Sequence, residues 1–247
     1  MYLKFKHLFY NSYYIGRQFN YSYRLYPIKK KIERISFRSY ELYNLHGRDE
    51  LLSMMLDECE SEEIIFDIGA SIGTYSLALA SKYPRSDILA FEPNLETFKK
   101  LEKNIECNGF NNITIHNIGI SDLNGEKSFY ISTYPETSSF NRKSSERWGG
   151  RVKSVKRVDV RRLDTVVEET KKCPDRIKFD VEGHGLKVLK GGKKTLEGCR
   201  PVIYMERHKV GTEKNENELE EFLGIFNYSI DKRDNKIWIC HPENSKE

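Results

Sequence analysis

No stretch of the chain approaches the roughly 18 consecutive apolar residues of a transmembrane helix, so no spanning segment is expected. The N-terminus, MYLKFKHLFYNSYY, also lacks a continuous apolar core and a small-residue cleavage site, so no secretory signal is expected. Cysteine is scarce and unpatterned. Cys59, Cys107, Cys173, Cys199 and Cys240 are odd in number, widely spaced and without a C-x-x-C pair. That argues against a zinc site and a disulfide framework, and for single buried thiols in a reducing, cytoplasmic setting. What is present, 38% apolar and 32% charged residues over 247 positions, suits one soluble α/β domain with an elaboration.

The net charge of +4 is unevenly spread. Residues 1–40 carry nine Lys and Arg against the single acid Glu33, which leaves the rest of the chain slightly acidic. The same segment holds twelve of the 28 Tyr and Phe residues. Residues 1–50 therefore read as a basic, aromatic-rich extension, and 51–247 as the domain proper. An extension of this kind suits peripheral contact with a membrane surface or a lipid-linked glycan. It is expected to serve docking and to leave cofactor binding alone.

From residue 64 the pattern is strand, turn, helix, repeated. Ile64-Ile65-Phe66 precedes a glycine-rich turn and a helix over Tyr75–Tyr83. Ile88–Phe91 is the next strand, Leu95–Cys107 the next helix, and Asn108-Gly109 its left-handed cap. Ile113-Thr114-Ile115 is a third strand. Residues from about 125 to 165 break the rhythm and read as a β-rich insertion, with a polar loop over Tyr134–Gly150. The rhythm resumes with Ile177–Phe179, a helix over Leu186–Leu196, a strand at Val202–Met205 and a helix over Glu216–Phe226. A hairpin, Tyr228–Ile230 with Ile237–Ile239, turns around Asp231–Asn235 to finish. The expected fold class is α/β: a Rossmann-like, mostly parallel sheet with an antiparallel last strand.

The strongest chemical signal is Asp67-Ile-Gly69-Ala70-Ser-Ile-Gly73 at a strand-to-helix turn. Glycines there let backbone approach a ligand, and the following helix start offers unpaired N–H groups. Nineteen residues beyond Gly73, Glu92-Pro93-Asn94 ends the second strand. A carboxylate there can accept both hydroxyls of a ribose. The spacing G-x-x-x-G lacks the third glycine of a dinucleotide fingerprint, so NAD is disfavoured. Asp67 ahead of the turn suits a ligand whose amino acid end carries an ammonium group.

The second signal is Lys178-Phe-Asp180-Val-Glu182-Gly183, where a strand tip should face the reactive end of that ligand. Together with Phe66–Gly73, Phe91–Asn94, Asn104–Gly109, Ser121-Asp122, Arg162–Thr165, Leu189–Gly191 and Met205-Glu206, it resembles the FkbM-type methyltransferases over about 145 residues. The resemblance implies S-adenosyl-L-methionine as cofactor and methyl transfer, usually to oxygen of a sugar, glycan or small metabolite. It assigns Gly69, Ala70 and Gly73 to the methionine part, Glu92 to the ribose, and Asn117, Ile118 and Gly119 to adenine. Where the family commonly reads Asp-x-Glu-Gly-Ala-Glu, this chain reads Asp180-Val-Glu182-Gly-His184-Gly185, so the last acid is absent. Asp180 is the first candidate for base or acceptor anchor, with Glu182 and His184 behind it, and His184 is expected as an exposed helix-start residue. Glu206 and His208 should line the same mouth; a divalent cation on Asp180, Glu182 and Glu206 is the lesser reading. The alternatives are a nucleobase methyltransferase acting on RNA or DNA and an inactive cofactor-fold binding module. The first lacks its usual Asn/Asp-Pro-Pro-aromatic motif here, which makes nucleic acid a poor partner.

Overall fold

The computed structural model describes residues 12, 15–16, 19–23, 25–32, 35–41, 49–181, 183–206, 213–233 and 236–243. Among these lies a seven-stranded sheet in the order β11-β12-β10-β9-β3-β4-β5. Its strands are β3 (Ile64–Ile68), β4 (Asp87–Phe91), β5 (Ile113–His116), β9 (Arg176–Phe179), β10 (Val202–Glu206), β11 (Tyr228–Arg233) and β12 (Ile237–Pro242). The first five run parallel, and β12 runs antiparallel between β10 and β11. Asp234 and Asn235 of the predicted turn lie outside the described residues.

The central strands are apolar on both faces because helices cover both. Phe66, Leu89, Ile177 and Ile203 bury one face, against Leu163, Val188, Leu196 and Leu223. Ile65, Ile88 and Tyr204 bury the other, against Leu52, Met55, Leu77 and Leu79. Those covering helices are α1 (Glu50–Glu58), α2 (Thr74–Lys82), α3 (Leu95–Glu106), α5 (Leu163–Thr170), α6 (Gly185–Lys190), α7 (Lys193–Gly198) and α8 (Glu213–Ile225). The remaining helix, the one-turn α4 (Arg142–Ser145), sits in the insertion. No helix of the described residues is long and apolar enough to cross a membrane.

The insertion is a three-stranded sheet, β6 (Gly119–Ser121), β8 (Val152–Arg162) and β7 (Gly125–Ser132), with β8 in the middle. Its polar loop holds α4 and two 3-10 turns. Three features depart from the expectation. Helix α5 begins inside the predicted insertion, where Leu163 and Val166 bury one short stripe. The predicted helix over Leu186–Leu196 is split at Gly191-Gly192. A Cβ on Gly191 would stand 2.0 Å from the Ser121 carbonyl oxygen, so this backbone packs directly on β6. Ahead of the domain, β1 (Ile28–Ile32) and β2 (Ile35–Ser39) pair antiparallel, in a register that sets Lys29 opposite Arg38.

The cysteine expectation is overturned at one pair. Cys173, after α5, is bonded to Cys199, after α7, with 5.5 Å between their Cα atoms. Their positions, 26 apart in sequence, meet only because β9 and β10 lie side by side. The argument for a reducing compartment falls with that pairing. Cys59 and Cys240 are buried thiols as expected, each pushed up to about 12 by burial.

The bridge closes a loop at the sheet edge opposite the strand tips that carry the site. Reducing it, or Cys173→Ser with Cys199→Ser, should lower unfolding stability by about 3 kcal/mol through the entropy restored to the unfolded chain. Denaturant titrations with and without reductant check this, and an unchanged midpoint would contradict it.

Candidate active site

Parallel strands bring the carboxyl ends of β3, β4, β5, β9 and β10 to one edge. The chain order reverses between β3 and β9, the crevice where open α/β sheets bind ligands.

Gly69 leaves β3 at a φ of +76°, and its N–H donates to the Phe91 carbonyl at 2.9 Å. A Cβ at this position would lie 2.5 Å from the backbone oxygen of Asp180. Only glycine lets the β3 turn pass this close to the β9 tip. Ala70 N–H shares the Phe91 carbonyl at 3.0 Å, and Gly73, at a φ of +90°, opens α2. Ser71 takes up a left-handed φ of +52° and donates its N–H to Glu92 Oε2 at 3.0 Å.

Glu92 is buried and accepts a second backbone bond, from Asn94 N–H to Oε1 at 2.8 Å. Burial pushes its carboxyl up to about 7, against the pull of those two N–H donors. Asn94 caps α3: Oδ1 accepts from Glu96 N–H at 3.2 Å and Nδ2 donates to Thr97 Oγ1 at 2.9 Å. Asn117 Nδ2 donates to the carbonyls of Glu92 and Pro93 at 2.8 and 3.3 Å, which joins the β5 end to the same loop. Ile118 packs on the core, and Gly119 opens β6 under the Phe140 ring.

Asp67 is placed differently from the expectation. It is fully buried; Oδ1 accepts from Lys178 Nζ at 3.0 Å and Oδ2 from Ser76 Oγ at 2.7 Å. Its carboxylate thus serves a buried ammonium of the protein itself. Lys178 also donates to the Gly69 carbonyl at 3.3 Å and stands 4.5 Å over the Tyr75 ring. Burial alone would lower the Lys178 pKa, but Asp67 and then Asp180 raise it above the ordinary value. Tyr75 O–H donates to Asp49 Oδ1 at 2.7 Å, and Asp49 caps α1 through Leu52 N–H at 3.0 Å. Burial and the nearby Asp49, Asp180 and Glu206 hold the Tyr75 phenol well above its usual range. Lys178, Tyr75 and Asp49 were not singled out in the sequence. The available signal was Lys178 itself, one charge inside an otherwise apolar buried strand.

Asp180 is half-buried at the tip of β9, its N–H directed to the Ile68 carbonyl at 3.3 Å. Glu206 is half-buried at the tip of β10. Glu182 and His208 lie outside the described residues. Among the described residues no group of three His, Cys, Asp or Glu is placed to hold a metal.

His184 is corrected from exposed to buried. It precedes α6, its Nε2 stands 3.0 Å from Ser121 Oγ, and its ring lies 4.6 Å from that of Phe140. Burial, then the cations Lys127 and Lys187, push its pKa down to about 3. A neutral imidazole in that environment is a poor base near pH 7. It fastens the β9 tip to the insertion, beside Asp122, which Lys127 and Lys187 hold at 2.9 and 3.1 Å.

The N-terminal segment reaches the same site. Asn104 Nδ2 donates to Tyr21 O–H at 2.9 Å and to the Ile72 carbonyl at 2.8 Å, and Tyr21 packs on Ile72. Tyr21 therefore braces the glycine turn, through Asn104 and by packing on Ile72.

Two expectations follow from the buried charges. Lys178→Met leaves Asp67 buried without its cation and should destabilise the fold by roughly 3–5 kcal/mol, with Asp67→Asn added in the double variant recovering part of the loss. Equal melting temperatures for wild type and Lys178→Met would contradict the pairing. Glu92 binds its proton more tightly folded than unfolded, so its contribution is present below about pH 4.5 and is lost as pH rises through about 7. Wild type should therefore lose stability relative to Glu92→Gln between pH 5 and 8, by on the order of 3 kcal/mol, in cofactor-free protein. A flat difference across that range would refute the raised pKa.

Residues 67–235 match the Methyltransferase FkbM domain family model. Hexuronic acid methyltransferase AglP of Haloferax volcanii is 31% identical over 166 residues, covering 66% of this chain and 64% of its own length. Methyltransferase 1 of Beauveria bassiana is 29% identical over 161 residues, 56% of this chain and 64% of its own. The chain thus spans a little under two thirds of these two relatives. The crystal structure of Methyltransferase FkbM from Methylobacillus flagellatus KT superposes with a TM-score of 0.53 at 20% identity, covering 74% of this chain and 44% of that one, which shows the shared fold. With more than half of its length inside the family model, the chain belongs to the FkbM methyltransferases, whose methyl donor is S-adenosylmethionine.

Proposed function

We propose that this protein methylates a hydroxyl oxygen of a sugar or glycan. The observation that carries the reading is the acidic mouth at the tips of β9 and β10, where Asp49, Asp180 and Glu206 stand near Tyr75, and Asp180 and Asp49 near Lys178. These carboxylates suit a cofactor with positive centres and the hydroxyl donors of a sugar, and disfavour the dense charge of a phosphate backbone. The hexuronic acid named for the Haloferax volcanii relative supports a sugar acceptor.

The residues present fit S-adenosylmethionine. Glu92 is a buried carboxylate with lone pairs left for two ribose hydroxyls, which would repay the burial of its charge. Gly69 and its neighbours give a turn that a side chain would obstruct. Ser71 and Asn94 fix the Glu92 carboxylate from both sides. The bound cofactor supplies an electrophilic methyl group on a sulfonium sulfur. The protein's part is to hold an acceptor oxygen in line and to take its proton. Asp180 accepts that proton. Lys178, the buried ammonium on the same strand, holds the turn in register through the Gly69 carbonyl.

Asp180→Asn should cut turnover by roughly 10²–10⁴ while cofactor affinity changes little. Initial rates on neutral and on hexuronic-acid oligosaccharides, with calorimetry for the cofactor, measure both. The product separates hydroxyl from carboxylate methylation, since an ether survives mild alkali and an ester does not. An alkali-labile product, or full activity in Asp180→Asn, would overturn the assignment.

A further inference from the structure

Nine large hydrophobic side chains are exposed among the described residues, and five of them, Ile15, Phe19, Tyr23, Leu25 and Tyr26, fall within residues 15–26. Residues 19–23 are helical, so Phe19 and Tyr23 stand one turn apart on one ridge, and Ile15 before them is helical and exposed. The Phe19 and Tyr23 rings touch, with centroids 4.6 Å apart, and Tyr23 is 65% exposed. The opposite side of the same turn is anchored. Asn20 Nδ2 donates to the Tyr40 carbonyl at 2.7 Å, and Tyr21 is buried on Ile72. The ridge therefore points outward by construction.

Cations follow at once in the chain. Lys29 and Lys31 alternate on the exposed face of β1, and Arg38 stands exposed opposite Lys29 on β2. Asn108 accepts from Arg38 N–H at 2.6 Å and donates to its carbonyl at 2.7 Å, which fixes β2 to the end of α3. An exposed apolar and aromatic ridge followed in the same segment by exposed cations is the composition that binds the headgroup region of an anionic bilayer. Nucleic acid accounts for the cations but not for exposed Ile15 and Leu25. A second copy across a two-fold axis would set the same cations against each other.

We infer that this ridge and strand pair dock the protein on an anionic membrane surface. Since Tyr21 and Asn104 tie the ridge to Ile72 in the glycine turn, docking also sets the orientation of the site mouth relative to the bilayer. The inference does not depend on which acceptor atom is methylated.

Co-sedimentation of the full chain with vesicles of phosphatidylcholine and about one third phosphatidylserine tests it. Binding is expected to these vesicles at low salt, with little to phosphatidylcholine alone. Lys29→Glu with Lys31→Glu should weaken it more than about tenfold, with the deficit shrinking at high salt. Phe19→Ser with Tyr23→Ser should weaken it by a similar factor at both salts. These positions are exposed, so melting temperature and cofactor affinity should stay at wild-type values in both variants. Absence of vesicle binding, or binding that neither double variant weakens, would overturn the inference. So would oligonucleotide binding in place of vesicle binding, or a dimer that Phe19→Ser with Tyr23→Ser disperses while vesicles are ignored.

Discussion

A buried ammonium needs a partner, and in this protein that partner sets the geometry of the site. Lys178 and Asp67 are almost wholly removed from water on adjacent strands, at the point where the chain order of the sheet reverses. Taking either ion from water alone costs several kcal/mol, so each is tolerable only with the other at hydrogen-bond distance. The pairing fixes more than two side chains. Lys178 also holds the Gly69 carbonyl, and Gly69 passes the Asp180 backbone with no room for a Cβ. The glycine turn and the β9 tip, which face cofactor and acceptor in the proposed function, are thus set by one charged contact.

Around that contact the remaining groups divide by environment. Glu92 is a carboxylate buried beside backbone donors, with a pKa of about 7, and a diol able to donate to it improves its surroundings. His184 is an imidazole buried beside cations, which keeps it neutral and leaves it to pack between Ser121 and Phe140. The insertion also reaches α3, where Lys156 on β8 pairs with Glu96 in the first turn at 3.2 Å. It therefore touches the core at both His184 and α3.

How much of this was legible in the sequence follows from the range of each signal. The strands of the parallel sheet, the glycine turn and Glu92 were readable because local pattern decides them: apolar runs, turn residues and a fixed spacing. Helix α5 was missed because only Leu163 and Val166 mark its buried stripe, too short a period to separate from the insertion. The Cys173–Cys199 bridge was missed because spacing carries no record of which loops the sheet brings together. Asp67 was read as facing a ligand because its partner lies 111 positions away on β9. His184 looked exposed because its cover, Phe140, comes from a loop in the insertion. For the bridge, Asp67 and His184 the deciding contact is non-local.

The proposed function places S-adenosylmethionine at these strand tips, with Glu92 taking its ribose hydroxyls. Isothermal calorimetry of the purified chain with S-adenosylmethionine, its demethylated product and NAD tests that placement. One site is expected for each of the first two and none for NAD, with Glu92→Ala weakening both by roughly 1.5–3 kcal/mol, the worth of charge-assisted hydrogen bonds. Tight NAD binding, no heat with either methionine-derived ligand, or full affinity in Glu92→Ala would contradict it.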